Sequence, residues 1–180
     1  MYKNVPVHQQ VKESGEIDYS MPIEDDFGAL NRDRIPVRSM REDDLSAVVR
    51  IDTRVTGRNR QSYYERKMQE SLHESGIRVS LIAEVDGRIV GFVMARVDFG
   101  EFGQAEPEAV LDTIGVDPDE EGRGVGASLI SNLIANLGTL RVEHIRTLVA
   151  SNDTPLLSFF TRCGFHPSQR IAFVYRLDAA

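Results

Sequence analysis

From Ile35 onward the spacing of apolar and polar residues changes period several times, and each change marks an element. Residues 35–40, Ile-Pro-Val-Arg-Ser-Met, alternate as a short strand, with Pro36 suited to an edge or a strand start. Acids at 42–44 then fill a first helical turn with Ser39 as the expected N-cap, and Leu45, Val48, Val49 and Asp52 follow at helical spacing. A second amphipathic helix is predicted over 59–73, closed by Gly76. Residues 79–85 and 88–97 are apolar and β-branched and flank Asp86-Gly87, a two-residue hairpin signal. After a loop with Gly100, Gly103 and Pro107, residues 109–116 read as a strand. A helix with one buried stripe (Val125, Leu129, Ile130, Leu133, Ile134, Leu137) is predicted over 124–137, with Gly138 as its stop. A strand over 145–150, a short helix over 154–161 and a strand over 170–177 complete the order βααβββαβαβ.

Residues 1–33 lack any sustained period and hold seven acids against three bases, so an extended or flexible acidic arm is expected ahead of one domain over 34–180. The arm would either regulate access or exchange between the subunits of a homodimer. At 180 residues the chain is large enough to bury a core without disulfides. A net charge of -7 argues against nucleic acid as a partner. No run approaches the roughly 20 apolar residues of a membrane span. With Cys163 the lone cysteine and no signal-peptide pattern at the start, the expected location is the cytoplasm. His8, His73, His144 and His166 show no paired spacing, so no metal is expected. Ser151, His144 and Asp153 could be drawn as a triad, but no nucleophile elbow surrounds the serine.

The informative stretch is 111–130, Leu-Asp-Thr-Ile-Gly-Val-Asp-Pro-Asp-Glu-Glu-Gly-Arg-Gly-Val-Gly-Ala-Ser-Leu-Ile. A strand ends at Val116, and a helix begins within Gly122-Arg123-Gly124-Val125-Gly126-Ala127, so backbone amides converge with the positive end of a helix dipole. Glycines let phosphate oxygens approach the backbone and permit positive φ. Neither the Walker A pattern nor the Gly-x-Gly-x-x-Gly dinucleotide spacing is present.

This stretch resembles the GNAT superfamily of acetyl-CoA-dependent N-acetyltransferases. Val116, Pro118, Gly124 and Gly126 match its pattern Val-x-Pro-x-x-Gln/Arg-x-x-Gly-x-Gly/Ala, with Glu121 where Gln or Arg is usual. Downstream, Phe160, Gly164 and Phe165 match the family's helix ending in an aromatic followed by Gly-Phe. The resemblance covers about 35–177. It implies an α/β fold with a mixed, mostly antiparallel sheet splayed between its central strands and flanked by helices. It further implies acetyl-CoA as cosubstrate, with pantetheine held by backbone near Ile114, Gly115 and Val116 and the diphosphate by amides of Glu121, Gly122, Arg123, Gly124, Val125, Gly126 and Ala127. Asn152 resembles the asparagine that follows the next strand after a one-residue shift, and Phe160 stands where the family often has a thiolate-protonating tyrosine. Ser158 or water would then serve that step, or the thiolate would leave unassisted.

Acetyl transfer requires an amine that has lost its ammonium proton. Period-two alternation puts Glu108, Val110, Asp112 and Ile114 on one face, which offers Asp112 as base and Glu108 as a second candidate acting through water. Asp112 could equally be a strand acid paired with Arg96 or Arg146. A backbone amide near Ile114 or Gly115 would serve the developing oxyanion. The acceptor expected is a primary amine, first a protein lysine or N-terminal amine, with a small-molecule amine as the alternative. A non-catalytic CoA-binding module is the contrasting class.

Overall fold

The computed structural model describes residues 35–70, 77, 79–99 and 107–175. The expectations for the 1–33 arm, for Gly76 and for the glycines at 100 and 103 lie outside those residues. Strands β1 (Val37–Ser39), β2 (Leu81–Val85), β3 (Arg88–Phe99), β4 (Pro107–Val116) and β5 (His144–Arg146) form one sheet in the order β1-β2-β3-β4-β5. The first four pair antiparallel, and β5 joins β4 in parallel. Asp86 and Gly87 both have positive φ, 50° and 73°, which matches the right-handed twist of the strands they connect.

Helix α1 (Leu45–Thr56) follows a 3-10 turn, Glu42–Asp44. Ser39 is not the cap: it is paired with Leu81 inside β1, and the Asp44 carboxylate instead accepts the Arg41 amide at 2.7 Å. Gly57 at φ 70° ends α1, its amide donating to Thr53. Helix α2 (Gln61–Gln69) starts where the Asn59 side chain accepts the Gln61 amide. Helix α3 (Val125–Thr139) runs through Gly138, and the left-handed residue after it is Arg141 at φ 57°.

Successive strand residues face opposite sides, and β3 shows it directly. Phe92 and Met94 join Met40, Val48, Ile51, Tyr64, Met68 and Ile82 in a core beneath α1 and α2. Gly91 faces α3 so closely that a Cβ there would lie 2.7 Å from Val125 Cγ1. The α3 stripe is buried at Val125, Leu129, Ile130, Leu133 and Leu137, whereas Ile134 is exposed. Each such side chain contributes roughly 1.5–3 kcal/mol by leaving water. The domain is therefore a mixed sheet with helices on both faces.

From Leu148 the chain forms a second compact unit. Its helix α4 (Thr154–Arg162) is N-capped by the Asp153 side chain, which accepts the Leu156 amide at 3.1 Å. Two expected strands are corrected here. The strand over 145–150 is only His144–Arg146, and 170–175 form no strand, leaving Ile171, Phe173, Val174 and Tyr175 exposed. Alternation supplies an amphipathic pattern, but a strand also needs a ladder partner, and none pairs with 170–175 among the described residues.

Candidate active site

β4 and β5 share only three register pairs, Glu108↔His144, Ala109↔Ile145 and Val110↔Arg146. One further contact, Thr147 Oγ1 donating to Leu111 O at 3.0 Å, ends their association within this unit. Beyond it, the β4 edge over 112–116 has no ladder partner on that side among the described residues. The two strands part at a β-bulge. Ala95 pairs with Leu111 and Met94 with Thr113, so Asp112 is an extra residue without a cross-strand partner.

The bulge overturns the simple alternation expected along β4. Cross-strand partners share a face, so Glu108 and Val110 lie with Asp98 and Arg96 on the side of α1 and α2. Ile114 pairs with Val93 and turns to the α3 side. Asp112 and Thr113 both remain on the α2 side, because Lys67 and Tyr64 of α2 reach them. Residues three apart on α2 thus meet two consecutive residues of β4, a match that only a bulge allows.

Asp112 is held between cations. Arg96 donates to Oδ1, and Lys67 Nζ lies 3.6 Å from Oδ2. Burial alone would lower the Lys67 ammonium, but its hydrogen bond to Glu70 and the charge of Asp112 raise it, so it stays protonated. Glu108 accepts from Arg146 Nε at 2.9 Å, and Asp98 lies within reach of both Arg96 and Arg146. Beside this cluster, buried Asp52 accepts from Arg60 Nε at 2.9 Å and from the Tyr64 hydroxyl at 2.9 Å, and that hydroxyl is 3.5 Å from Thr113 Oγ1. Burial pushes the Tyr64 phenol up, which keeps it a neutral donor. Sequence reasoning placed Asp52 on its helix but missed this network. Its one visible signal is an acid in register with the apolar stripe of Leu45, Val48 and Val49.

At the far end of β4, Pro118–Glu120 form a 3-10 turn leading to Gly122 and Gly124, with φ 73° and 90°. An added Cβ at either glycine would meet nothing within 4 Å, so φ, not crowding, selects glycine here. Gly124 is the N-cap of α3 and brings no capping side chain. The amides of the first helical turn, Val125, Gly126 and Ala127, have no intrahelical acceptor and point out of the helix start together with its dipole. Glu121 and Arg123 are exposed, and Arg123 bonds Glu120 at 2.8 Å. The strand edge at Ile114, Gly115 and Val116, which has no ladder partner on the β5 side among the described residues, runs directly into this turn.

In the second unit, Asn152 is exposed in a turn and Asp153 carries the helix cap. Phe160 is buried, with ring centroids 5.3 Å from Phe159 and 5.0 Å from Phe165. Burial pushes the Cys163 thiol up, away from nucleophilic character. Among the described residues no group of three or more His, Cys, Asp or Glu is gathered for a metal, and no helix is long and apolar enough to cross a membrane.

The sequence profile of the acetyltransferase (GNAT) family matches residues 40–165, which include the bulge, the glycine turn and α4. The chain belongs to the GNAT family. An acetyltransferase of Pectobacterium atrosepticum is 30% identical to this GNAT protein over 145 residues, covering 78% of this chain and 94% of that one. A mycothiol acetyltransferase of Clavibacter sepedonicus is 31% identical over 85 residues, which is 47% of this chain and 26% of the relative. The chain therefore spans about a quarter of that relative's length. In structure, an aminoglycoside N-acetyltransferase in complex with CoA matches with a TM-score of 0.68 at 20% identity, covering 81% of this chain and 96% of the other. That likeness establishes the GNAT fold.

Proposed function

We propose that this GNAT protein transfers an acetyl group from acetyl-CoA to the primary amine of a small molecule. One observation carries the reading: an unpaired β4 edge that leads into an uncapped helix start at a left-handed glycine turn. The edge offers alternating N–H and C=O groups to an amide-bearing chain, and the turn offers amides and a positive dipole to an anion. Acetyl-CoA combines both demands in its pantetheine and diphosphate. Ile114, Gly115 and Val116 would hold the first, and the amides of 121–127 the second. In the second unit, Asn152 and Phe160 are the residues that the family pattern would assign to the cofactor. When bound, acetyl-CoA supplies an acetyl group activated as a thioester.

The protein's own part is to orient the amine and to take its proton. Asp112 is the proposed acceptor of that proton, with Glu108 second through water. The Lys67 ammonium lies 3.6 Å from Asp112 Oδ2, so a substrate ammonium would have to displace it before Asp112 could take a proton. Backbone N–H groups near Ile114 and Gly115 are the proposed donors to the acyl oxygen. Small amines are favoured over a protein lysine or N-terminal amine because the compounds in the names of relatives, mycothiol and aminoglycosides, are small molecules. Phe160, which cannot donate a proton, favours the contrasting reading of a CoA-binding module without turnover.

Calorimetric titration with acetyl-CoA, with ATP and NAD as controls, followed by a thiol-release assay over aminoglycosides, diamines and a lysine peptide, separates these readings. Selective acetyl-CoA binding with turnover on a small amine is expected. Binding without turnover on any acceptor would favour the module, and turnover on the peptide alone would favour a protein acceptor. Asp112→Asn should keep acetyl-CoA affinity within about twofold and lower kcat by about a hundredfold, the lower range for loss of a general base. A kcat equal to that of the unaltered protein would remove Asp112 from proton transfer.

A further inference from the structure

The anion cradle is preceded by an electrostatic contradiction. Asp117, Asp119, Glu120 and Glu121 put four carboxylates within five residues, immediately before the glycines proposed to hold a diphosphate. With about 3.8 Å between consecutive Cα atoms, Glu120 lies no more than about 8 Å from Gly122 along the chain, inside the roughly 10 Å Debye length at 0.1 M salt. Bare carboxylates at that range would oppose a bound diphosphate.

Three of the four are covered by arginines, all but one of them from outside the turn. Asp117 is fully buried. Arg54 donates to its Oδ1, Arg50 NH1 is 3.4 Å and Arg88 NH1 3.6 Å from its Oδ2, and the Asp119 amide donates to Oδ1 at 3.2 Å. Arg54 also grips both oxygens of Asp119 at 3.0 Å. Glu120, buried as well, receives Arg88 on one oxygen at 2.5 Å and Arg123 on the other at 2.8 Å. Two of these arginines come from α1, one from the start of β3 and one from the turn itself.

Resting on the acetyl-CoA reading, we propose that Arg54 and Arg88 are positioning residues of the cofactor site. They fasten the turn to α1 and β3, and they offset the field of Asp119 and Glu120 so that these two carboxylates do not compete with the diphosphate for the amides of the cradle. Neither arginine needs to touch the cofactor. Arg54 and Arg88 are partly exposed, so their charges can be removed without opening the core, whereas Asp117 serves as the buried post on which the clasp is built. Asp117, Asp119 and Glu120 are tolerated in the turn because arginines cover them, whereas Glu121 is exposed to solvent.

The test uses Arg88→Gln and the double variant Arg88→Gln/Glu120→Gln, with acetyl-CoA affinity measured calorimetrically at low and at high salt. Removing the Arg88 charge leaves Glu120 with Arg123 alone and should weaken acetyl-CoA binding by about three- to tenfold at low salt, with the loss shrinking as salt is added. Removing the Glu120 charge as well in the double variant should return the affinity to within about twofold of the unaltered protein. A loss that is neither rescued nor sensitive to salt would mean that Arg88 only supports the fold, and would overturn the proposal. Unaltered affinity in Arg88→Gln would overturn it alone. Absence of acetyl-CoA binding by the unaltered protein would overturn the acetyltransferase reading instead, and this inference with it.

Discussion

Asp44 shows how much one charged side chain can organise before any chemistry is considered. Its carboxylate takes both terminal nitrogens of Arg38 at 2.7 Å and the Arg41 amide at 2.7 Å, joining β1 to the turn that starts α1. Burial alone would raise its pKa, but the hydrogen bonds from Arg38 and Arg41 outweigh this and hold it below its ordinary 3.8. A depressed folded value means stability that is present above the unfolded pKa and is lost as pH falls through the folded one. Asp44→Asn should therefore cost about 1–3 kcal/mol at neutral pH. Its thermal midpoint and that of the unaltered protein should begin to converge as pH falls below about 4. Denaturation scans from pH 3 to 7 check this, and a constant gap across the range would contradict the charge-based account. At this scale the sequence was partly legible. The glycines at 122 and 124 declared themselves by spacing, and the Arg96 partner of Asp112 was one of two pairings open from strand alternation. The Asp52–Arg60–Tyr64–Thr113 network was not legible, because Thr113 lies 49 residues from Tyr64 and no local pattern encodes that approach.

Elements were more legible than contacts, because period and turn chemistry are local. The Asp86-Gly87 hairpin and the buried stripe of α3 follow from side-chain spacing alone. The β4 bulge does not, since an inserted residue is defined by its partner strand, and so the expectation that Ile114 shares a face with Asp112 fails. The expected strand over 170–177 is absent over its described part, 170–175, for a related reason: alternation is necessary for a half-buried strand but does not supply its neighbour. Close approach of two elements is similarly hidden, and Gly91 is the instance with the clearest consequence. A Cβ there would lie 2.7 Å from Val125 Cγ1, 3.1 Å from Leu129 Cδ1 and 3.2 Å from the carbonyl oxygen of Gly115. Leu129 can rotate away, but Val125 is β-branched and the carbonyl is fixed in the strand. Gly91→Ala should push the start of α3 off the sheet and destabilise by about 1–3 kcal/mol, the usual range for overpacking. Because the same helix start forms the cradle, acetyl-CoA affinity should fall along with stability. Chemical denaturation paired with calorimetry checks both, and a variant as stable as the unaltered protein would show that the helix is free to shift.

At the scale of the whole molecule, a chain of net charge -7 is proposed to bind a polyanion, so long-range electrostatics oppose association and local geometry must supply the affinity. That geometry is gathered where β3, β4, α1 and α3 meet: β4 supplies the strand edge, α3 the amides, and α1 and β3 the arginines that quiet the turn. A ligand seated there would couple helices on both faces of the sheet and bind the folded state alone. Its effect on unfolding then follows from mass action. At a free concentration one hundredfold above Kd, acetyl-CoA should stabilise the protein by about 2.7 kcal/mol. For a chain of this size that is about 5–11 °C in Tm. ATP and NAD at the same concentration should give little, since neither carries a pantetheine arm for the β4 edge. The comparison isolates the contribution of that edge, because all three ligands bring a phosphate chain to the glycine turn. Equal shifts with ATP would mean that the turn binds phosphates without help from the splayed strands, and the acetyl-donor assignment would lose its support.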